Sequence, residues 1–123
     1  MRDTTTPSAA EQALRDFVFQ QVALWNTGRK ADFFSLYRNV AAKSLTIEYV
    51  AKQTLADDAA WAGLEQMWIT YNTKVKLQLF ECIVNGSDAA CYFRNLWSSE
   101  QTLSSGIEVY HLNDGALHVR LFH

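Results

Sequence analysis

The stretch "SGIEVYHLNDGALHVRLFH", residues 105–123, decides the fold because it predicts an antiparallel hairpin at the end of the chain. Two runs rich in β-branched and aromatic residues, 107–112 and 116–122, flank an Asn-Asp-Gly sequence that is typical of tight hairpin turns. Several ionisable side chains lie within this largely apolar hairpin, among them Glu108, His118 and Arg120. Because an unpaired charge on an apolar wall is costly, the hairpin is also the first candidate for a functional site.

The segment before this hairpin predicts two more strands, "KVKLQLFECIV" (74–84) and "AACYFRNLW" (89–97). The sequences "NGSD" (85–88) and "SSEQTLSS" (98–105) separate the strands and consist mainly of residues that favour turns. The C-terminal part of the chain therefore predicts a four-strand antiparallel meander.

The N-terminal part predicts three helices and one short strand. Ser8–Glu11 forms a capping box, and apolar residues then follow the helical period as far as Gly28. A second helix is predicted over about 30–39, and one of the two aspartates at 57–58 caps a third. Between them "SLTIEYV" (44–50) alternates like a strand. The layout predicts an α+β fold in which a curved antiparallel sheet wraps over three N-terminal helices.

Composition limits the class of protein. The 123 residues suit one domain, predicted over 8–123 after a flexible N-terminus at 1–7, and the 49% of hydrophobic residues argues against disorder. A net charge of −2 without a basic stripe argues against nucleic-acid binding. The sequence has no apolar run long enough for a membrane span and no signal-peptide pattern, so we expect a soluble, cytoplasmic protein.

Two cysteines, Cys82 and Cys91, lie on either side of the turn "VNGSDA". They are predicted to be two small buried thiols, with a cross-strand disulfide as the alternative that depends on register. Neither has the spacing of a metal ligand, so neither a metal nor a cofactor is predicted.

Three segments carry a family resemblance: "LWNTGRKADFFSLY" (24–37), "GLEQMW" (63–68) and "GIEVYHLNDGAL" (106–117). Their order and spacing resemble the nuclear transport factor 2-like superfamily, in its SnoaL-like and ketosteroid isomerase-like branch. The resemblance implies a cone whose cavity lies between the concave face of the sheet and the helices. Its members include isomerases, cyclases, dehydratases and epoxide hydrolases, together with proteins of no known activity.

The resemblance leaves three functions open. One is an acid/base enzyme that acts without a cofactor on a small, mostly apolar substrate in the cavity. Another is a protein that binds a small hydrophobic or aromatic ligand without turnover. The last is a dimeric structural or interaction module.

Two registers are open for the final hairpin. A three-residue loop with a glycine bulge would place Glu108 opposite Arg120 and Tyr110 opposite His118. A two-residue Asp-Gly turn would instead place leucine and valine at 117, 119 and 121 on that face. The resemblance favours the first register, because the isomerase branch has an acidic pocket residue at the position of Glu108.

In the first register Glu108 and His118 are the candidate catalytic residues. Arg120 would neutralise Glu108, lower its pKa and keep it ionised as a base or an anchor. The other predicted ligand-binding residues on the concave face are Tyr110, Phe93, Asn95 and Trp97. Trp68, which helical spacing also places in the core, belongs to the same predicted set.

Two further candidates come from the resemblance and depart from the family pattern. Tyr49 stands at the best equivalent of the isomerase general-base aspartate, and Gln21 stands near the place of the oxyanion-hole tyrosine. Steroid isomerisation by the family's machinery is therefore disfavoured.

The opposite face of the sheet is predicted to be apolar as well, with Ile107, Val109, Leu117, Val119 and Leu121. No helix remains to cover it. We therefore expect a homodimer through the convex sheet face, and dimers are usual in the family that the sequence resembles.

Overall fold

The computed structural model describes residues 6–98 and 103–122. Within these ranges the chain forms three helices, α1 (Ala9–Asn26), α2 (Lys30–Val40) and α3 (Asp58–Tyr71). The same ranges contain six strands: β1 (Ser44–Tyr49), β2 (Gln53–Ala56), β3 (Val75–Asn85), β4 (Asp88–Trp97), β5 (Leu103–Asn113) and β6 (Ala116–Phe122). Residues 1–5 of the predicted flexible N-terminus lie outside the described part. None of the described helices is both long and apolar enough to cross a lipid bilayer.

The strands form one curved sheet in the order β2-β1-β6-β5-β4-β3, which confirms the predicted α+β fold. Two details of the prediction were wrong. The sheet is mixed rather than antiparallel, because β1 pairs with β6 in parallel. The short strand β2 was also missed, since its four residues are mostly exposed and show no apolar alternation. Pairing between strands so distant in sequence leaves no local signal that a pattern could reveal.

The predicted capping box begins α1. The Ser8 hydroxyl accepts the backbone N–H of Glu11 at 3.1 Å, and Glu11 Oε1 accepts the backbone N–H of Ser8 at 2.9 Å. Glu11 Oε2 accepts a further bond of 2.8 Å from the backbone N–H of Gly86, which lies in the β3–β4 turn. One carboxylate thus fixes both the helix start and its position on the sheet. At α3 the prediction was less successful, because Asp57 occupies the N-cap without a side-chain capping bond.

The core lies between the helices and the concave face of the sheet. An aromatic cluster forms its centre, where the rings of Trp25 and Trp68 meet edge to face with centroids 5.1 Å apart. The indole N–H of Trp25 donates to the carbonyl of Val75 at 2.9 Å, which ties α1 to the first residue of β3. Trp68 therefore lies in the core, as its helical spacing indicated.

The register of the β5–β6 hairpin differs from the one we favoured. Asn113 pairs with Ala116, so Asp114 and Gly115 form a two-residue turn with φ of 49° and 81°. Aspartate and glycine tolerate positive φ, and such a turn matches the natural twist of the strands. This register also buries the side chains of three aliphatic residues: Leu117, Val119 and Leu121. The three-residue loop was therefore the wrong prediction, because it would have turned a histidine and an arginine toward the core.

The corrected register removes His118 and Arg120 from the concave face. Both side chains contact Glu48 of the neighbouring strand β1, with His118 Nε2 and Arg120 Nε each 3.1 Å from Glu48 Oε1. The hydrogen bond and charge of Arg120 lower the pKa of Glu48. The predicted pair of Arg120 with Glu108 does not form, since their side chains point to opposite faces of the sheet.

Candidate functional site

A cavity of about 610 Å³ lies between the concave face of the sheet and the helices. Aromatic and aliphatic side chains from the three helices and from β1, β2, β3, β4 and β6 form most of its wall, and β5 adds Ser104 and Glu108. The apolar residues that line it include Trp25, Phe33, Leu55, Leu77, Phe93, Val119 and Leu121. A cavity of this size and character suits a small, mostly apolar molecule.

Gly63 brings α3 close to the sheet at one wall of this cavity. A Cβ atom on Gly63 would lie 2.7 Å from Leu55 Cδ1, which is closer than real contacts allow. Both residues line the cavity. The glycine in "GLEQMW" therefore serves helix–strand packing, a role that sequence analysis did not assign to it.

A chain of side-chain hydrogen bonds leads to Glu108. The Tyr37 hydroxyl donates to Gln21 Oε1, and Gln21 Nε2 donates to the Tyr110 hydroxyl at 2.6 Å. The Tyr110 hydroxyl in turn donates to Glu108 Oε1. Each donor points toward the carboxylate, because the amide of Gln21 accepts on one side and donates on the other. Hydrogen bonds aligned in one direction strengthen each other, so the chain favours negative charge on Glu108.

Burial has the opposite effect on the same carboxylate. Desolvation raises the pKa of Glu108 above its ordinary value, and the hydrogen bond from Tyr110 only partly opposes this. The prediction that an arginine would lower this pKa was wrong. Burial and the nearby Glu108 charge also raise the pKa of Tyr110 and of Tyr37, so both phenols keep their protons.

A second polar group lies on the same face of the sheet. Asn95 Nδ2 and Trp97 Nε1 both donate to the hydroxyl of Ser104, at 3.1 and 3.2 Å. All three residues line the cavity. Ser104 precedes Glu108 by four residues on β5, which separates the two polar groups by about 13 Å.

The structure brings together most of the predicted site residues. Six of them line the cavity: Gln21, Tyr49, Phe93, Asn95, Trp97 and Glu108. Tyr110 is fully buried and contacts Glu108 without lining the cavity, and Trp68 packs in the aromatic cluster. His118 and Arg120 lie on the other face of the sheet. Tyr37 was not among the predicted site residues, because no spacing rule reveals its place in the hydrogen-bond chain.

Tyr49 also lies near Glu108. Burial raises the pKa of Tyr49, and the neighbouring Tyr71 and Glu108 add to the effect. Three phenol side chains therefore lie close to the Glu108 carboxylate: Tyr37, Tyr49 and Tyr110. Among the described residues no group of three or more histidine, cysteine or acidic side chains is placed to hold a metal ion.

Comparison with known proteins identifies the fold. No protein-family model matches the sequence, and a search of curated proteins finds no match either. Many solved structures are similar. One is an NTF2-like protein of unknown function from Mesorhizobium loti, at a TM-score of 0.71 and 16% identity over 95% of each chain.

Two further similar structures carry functional names. A candidate SnoaL-like polyketide cyclase from Jannaschia sp. CCS1 matches at a TM-score of 0.69 and 13% identity, over 95% of this chain and 89% of that one. The other is the epoxide hydrolase/cyclase-like enzyme SalBIII, which has a role in pyran ring formation in the polyether salinomycin. It matches at a TM-score of 0.69 and 18% identity over 91% of each chain. At these identities the similarity is one of fold. The chain therefore has the fold of the nuclear transport factor 2-like superfamily, in which SnoaL-like and ketosteroid isomerase-like proteins are its structural neighbours.

Proposed function

We propose that this protein is an acid/base enzyme that binds a small, mostly apolar substrate in the cavity and uses Glu108 for proton transfer. The observation that carries the proposal is a carboxylate whose pKa burial raises, at the wall of a cavity of about 610 Å³. A raised pKa brings a carboxyl group closer to the pH at which it can both accept and donate a proton. Isomerisation, cyclisation, dehydration and hydrolysis all include such transfers.

Each polar group near the cavity has a part in the proposed reaction. Ionised Glu108 takes a proton from the substrate, and the hydrogen bond from Tyr110 limits the cost of its charge in the apolar surroundings. Gln21 and Tyr37 are positioning residues, since they hold the Tyr110 hydroxyl in place. The protonated carboxyl then returns the proton to another atom of the substrate.

The substrate proposed here carries two polar groups. The Asn95–Ser104 pair is about 13 Å from Glu108 along the strand and suits a hydroxyl or carbonyl oxygen at the far end of the molecule. Between the two polar positions the wall is apolar, which favours a ring system or a branched hydrocarbon.

The second candidate is a protein that binds such a molecule without turnover. The hydrogen bond between Tyr110 and Glu108 favours this candidate, because it already satisfies part of the hydrogen-bonding capacity of the carboxylate. The two candidates share the ligand and differ only in whether Glu108 moves a proton.

One experiment separates them. Native mass spectrometry of the purified protein identifies a co-purified compound, or, if none is retained, a panel of small apolar ketones and alcohols is screened for binding. Liquid chromatography then follows conversion of the bound compound by the wild type and by Glu108→Gln. The enzyme proposal expects binding within a few-fold in both and turnover at least about 100-fold lower in the variant.

Two control variants make this experiment specific. Glu81→Gln makes the same chemical change at an exposed site, and His118→Ala removes a histidine on the other face of the sheet. Both should leave turnover unchanged. Full turnover by Glu108→Gln would contradict the role of Glu108, and binding without turnover by the wild type would support the second candidate.

We also propose that the protein forms a homodimer through the convex face of the sheet. Large exposed apolar side chains support this: Phe80, Ile83, Leu96, Ile107 and Phe122. Their exposed fractions reach 47% at Ile107 and 61% at Ile83, and apolar surface of this kind is normally covered. Of the predicted residues, Ile107 and Val109 lie on the convex face, whereas Leu117, Val119 and Leu121 are buried in the core.

Analytical ultracentrifugation tests the dimer. The wild type should sediment as a dimer at micromolar concentration, and Ile107→Asp on the convex face should sediment as a monomer. Ile69→Asp changes a residue on α3 that is also 61% exposed and should leave the dimer intact. A monomeric wild type, or equal effects of the two variants, would contradict the proposed interface.

A further inference from the structure

Two thiols lie next to each other on neighbouring strands. Cys82 of β3 and Cys91 of β4 are direct cross-strand partners, and their Sγ atoms are 3.7 Å apart. Asn85 and Asp88 close the two-residue turn between these strands. The closing pair of a two-residue hairpin is hydrogen-bonded, and from there non-hydrogen-bonded and hydrogen-bonded pairs alternate along the strands. Cys82 and Cys91 lie three positions from the closing pair, so they are a non-hydrogen-bonded pair. Cα atoms of such pairs are about 4.5 Å apart, within the range that a disulfide spans.

The two thiols differ in their surroundings. Cys91 is buried, whereas Cys82 is partly exposed. Burial and the neighbouring Cys82 raise the pKa of Cys91, so Cys91 is the poorer first nucleophile. A guanidinium lies beside the pair, because Arg15 donates to the carbonyl of Cys82 at 3.4 Å, and its positive charge partly opposes the rise in the pKa of Cys91.

We propose that Cys82 and Cys91 form an oxidation site at which a hydroperoxide converts the two thiols into a cross-strand disulfide. The Cys82 thiolate attacks one peroxide oxygen and the O–O bond breaks, which gives a sulfenic acid. The departing hydroxide or alkoxide takes up the proton that the Cys82 thiol lost and leaves as water or an alcohol. The Cys91 sulfur then attacks the Cys82 sulfur, the S–S bond forms, and the sulfenic hydroxyl leaves as water with the proton of Cys91. In total two thiols are oxidised and one peroxide bond is reduced.

This site does not rest on the proposed function, although Cys91 is the cross-strand neighbour of Glu108 and the charge of Glu108 adds to the rise in the pKa of Cys91. Both side chains point to the face of the sheet that packs against α1, so a dimer through the convex face leaves Cys82 accessible. The proposed proton transfer also does not use either sulfur. Oxidation would tie β3 to β4 close to the β-bulge between Leu79 and Glu81.

Mass spectrometry of the full chain tests the proposal. The purified protein is treated with hydrogen peroxide, alkylated in denaturant and digested without reduction. Trypsin should release both cysteines in one peptide, 77–94, which has lost two hydrogen atoms and carries no alkyl group. A protease that cleaves before Asp88 should then leave two halves joined only by the disulfide, and dithiothreitol should separate them.

Two matched variants test the order of the steps. In Cys91→Ser, peroxide should stop at a Cys82 sulfenic acid that dimedone traps. In Cys82→Ser, Cys91 should stay reduced and be alkylated after denaturation. Unlinked halves in the wild type, with both cysteines alkylated or with Cys82 oxidised to a sulfinic acid, would overturn the disulfide. Loss of the Cys91 thiol in Cys82→Ser as fast as in the wild type would overturn Cys82 as the point of entry.

Discussion

At the scale of a single residue, two opposing effects act on the pKa of Glu108. Desolvation favours its neutral form, and the hydrogen bond from Tyr110 favours its charged form. The larger effect is desolvation, so the group is set for proton exchange rather than for permanent charge. An ion pair with an arginine would have had the reverse result.

Tyr110→Phe should destabilise the protein by roughly 1–3 kcal/mol, because it removes the donor to Glu108 and the acceptor of the Gln21 amide in a buried place. Denaturant unfolding at neutral pH measures the change. Tyr49→Phe, which removes a cavity hydroxyl outside this hydrogen-bond chain, is the matched control and should cost less. A Tyr110→Phe variant as stable as the wild type would mean that the chain of bonds contributes nothing.

The sequence could predict that Glu108 lies at the cavity wall, although the reason given, a pair with Arg120, was wrong. Strand alternation placed Glu108 and Tyr110 on one face, and this holds in either register of the hairpin. The register decides only which residues of β6 join them. The wrong register placed His118 and Arg120 on the concave face, where the structure has Val119 and Leu121. A polar contact across distant elements, such as Gln21 with Tyr110, depends on final packing and was beyond any local pattern.

At the scale of elements, the β5–β6 turn fixes the position of the last strand. The carbonyl of Gly115 accepts the backbone N–H groups of Lys43 at 2.8 Å and Ser44 at 3.2 Å. The turn thus begins the parallel pairing of β1 with β6. The Asp-Gly sequence correctly predicted a hairpin here. The two-residue turn forms rather than the three-residue loop because it buries Leu117, Val119 and Leu121.

Gly115→Ala should destabilise the protein more than Gly86→Ala. Both glycines lie in two-residue turns at positive φ, 81° and 61°, so alanine costs about 1 kcal/mol of backbone strain at each. A Cβ atom at 115 would also meet Lys43 Cγ at 3.2 Å, whereas one at 86 meets nothing within 4 Å. Thermal unfolding of the two variants compares them. Equal or reversed losses would contradict the docking of this turn on the start of β1.

At the scale of the whole molecule, the buried carboxylate makes stability depend on pH. Between the ordinary glutamate pKa and the raised pKa of Glu108, the folded chain binds more protons than the unfolded chain. The contribution of Glu108 to the free energy of unfolding therefore falls as pH rises through this window. The contribution of Glu108 is therefore lower at neutral pH than at a pH below the ordinary glutamate pKa.

Glu108→Gln should therefore stabilise the protein at pH 7, because glutamine removes the cost of desolvating a carboxylate. At pH 4 the wild-type carboxyl is mostly protonated in both the folded and the unfolded chain, so the difference between variant and wild type should be smaller. Urea unfolding at the two pH values measures it, with Glu81→Gln as the control that stays within about 0.5 kcal/mol. A variant less stable than the wild type at pH 7 would mean that the charge of Glu108 supports the fold.

The cavity itself follows from the arrangement of whole elements. Helix periodicity and strand alternation predicted three helices and a curved sheet, and the family resemblance implied a hollow between the two. The volume of that hollow depends on close approaches such as Gly63 against Leu55. Such contacts arise only when α3 and β2 meet, and β2 was not foreseen.

The account depends most directly on the protonation of Glu108 in the folded protein. Carbon-13 NMR of the side-chain carboxyl, titrated between pH 3 and 9 (about the range of usual and raised carboxyl pKa values) and assigned with Glu108→Gln, measures it. We predict a midpoint clearly above the ordinary glutamate value. A midpoint at or below that value would contradict the proposed role of Glu108 as a group that exchanges protons within the cavity.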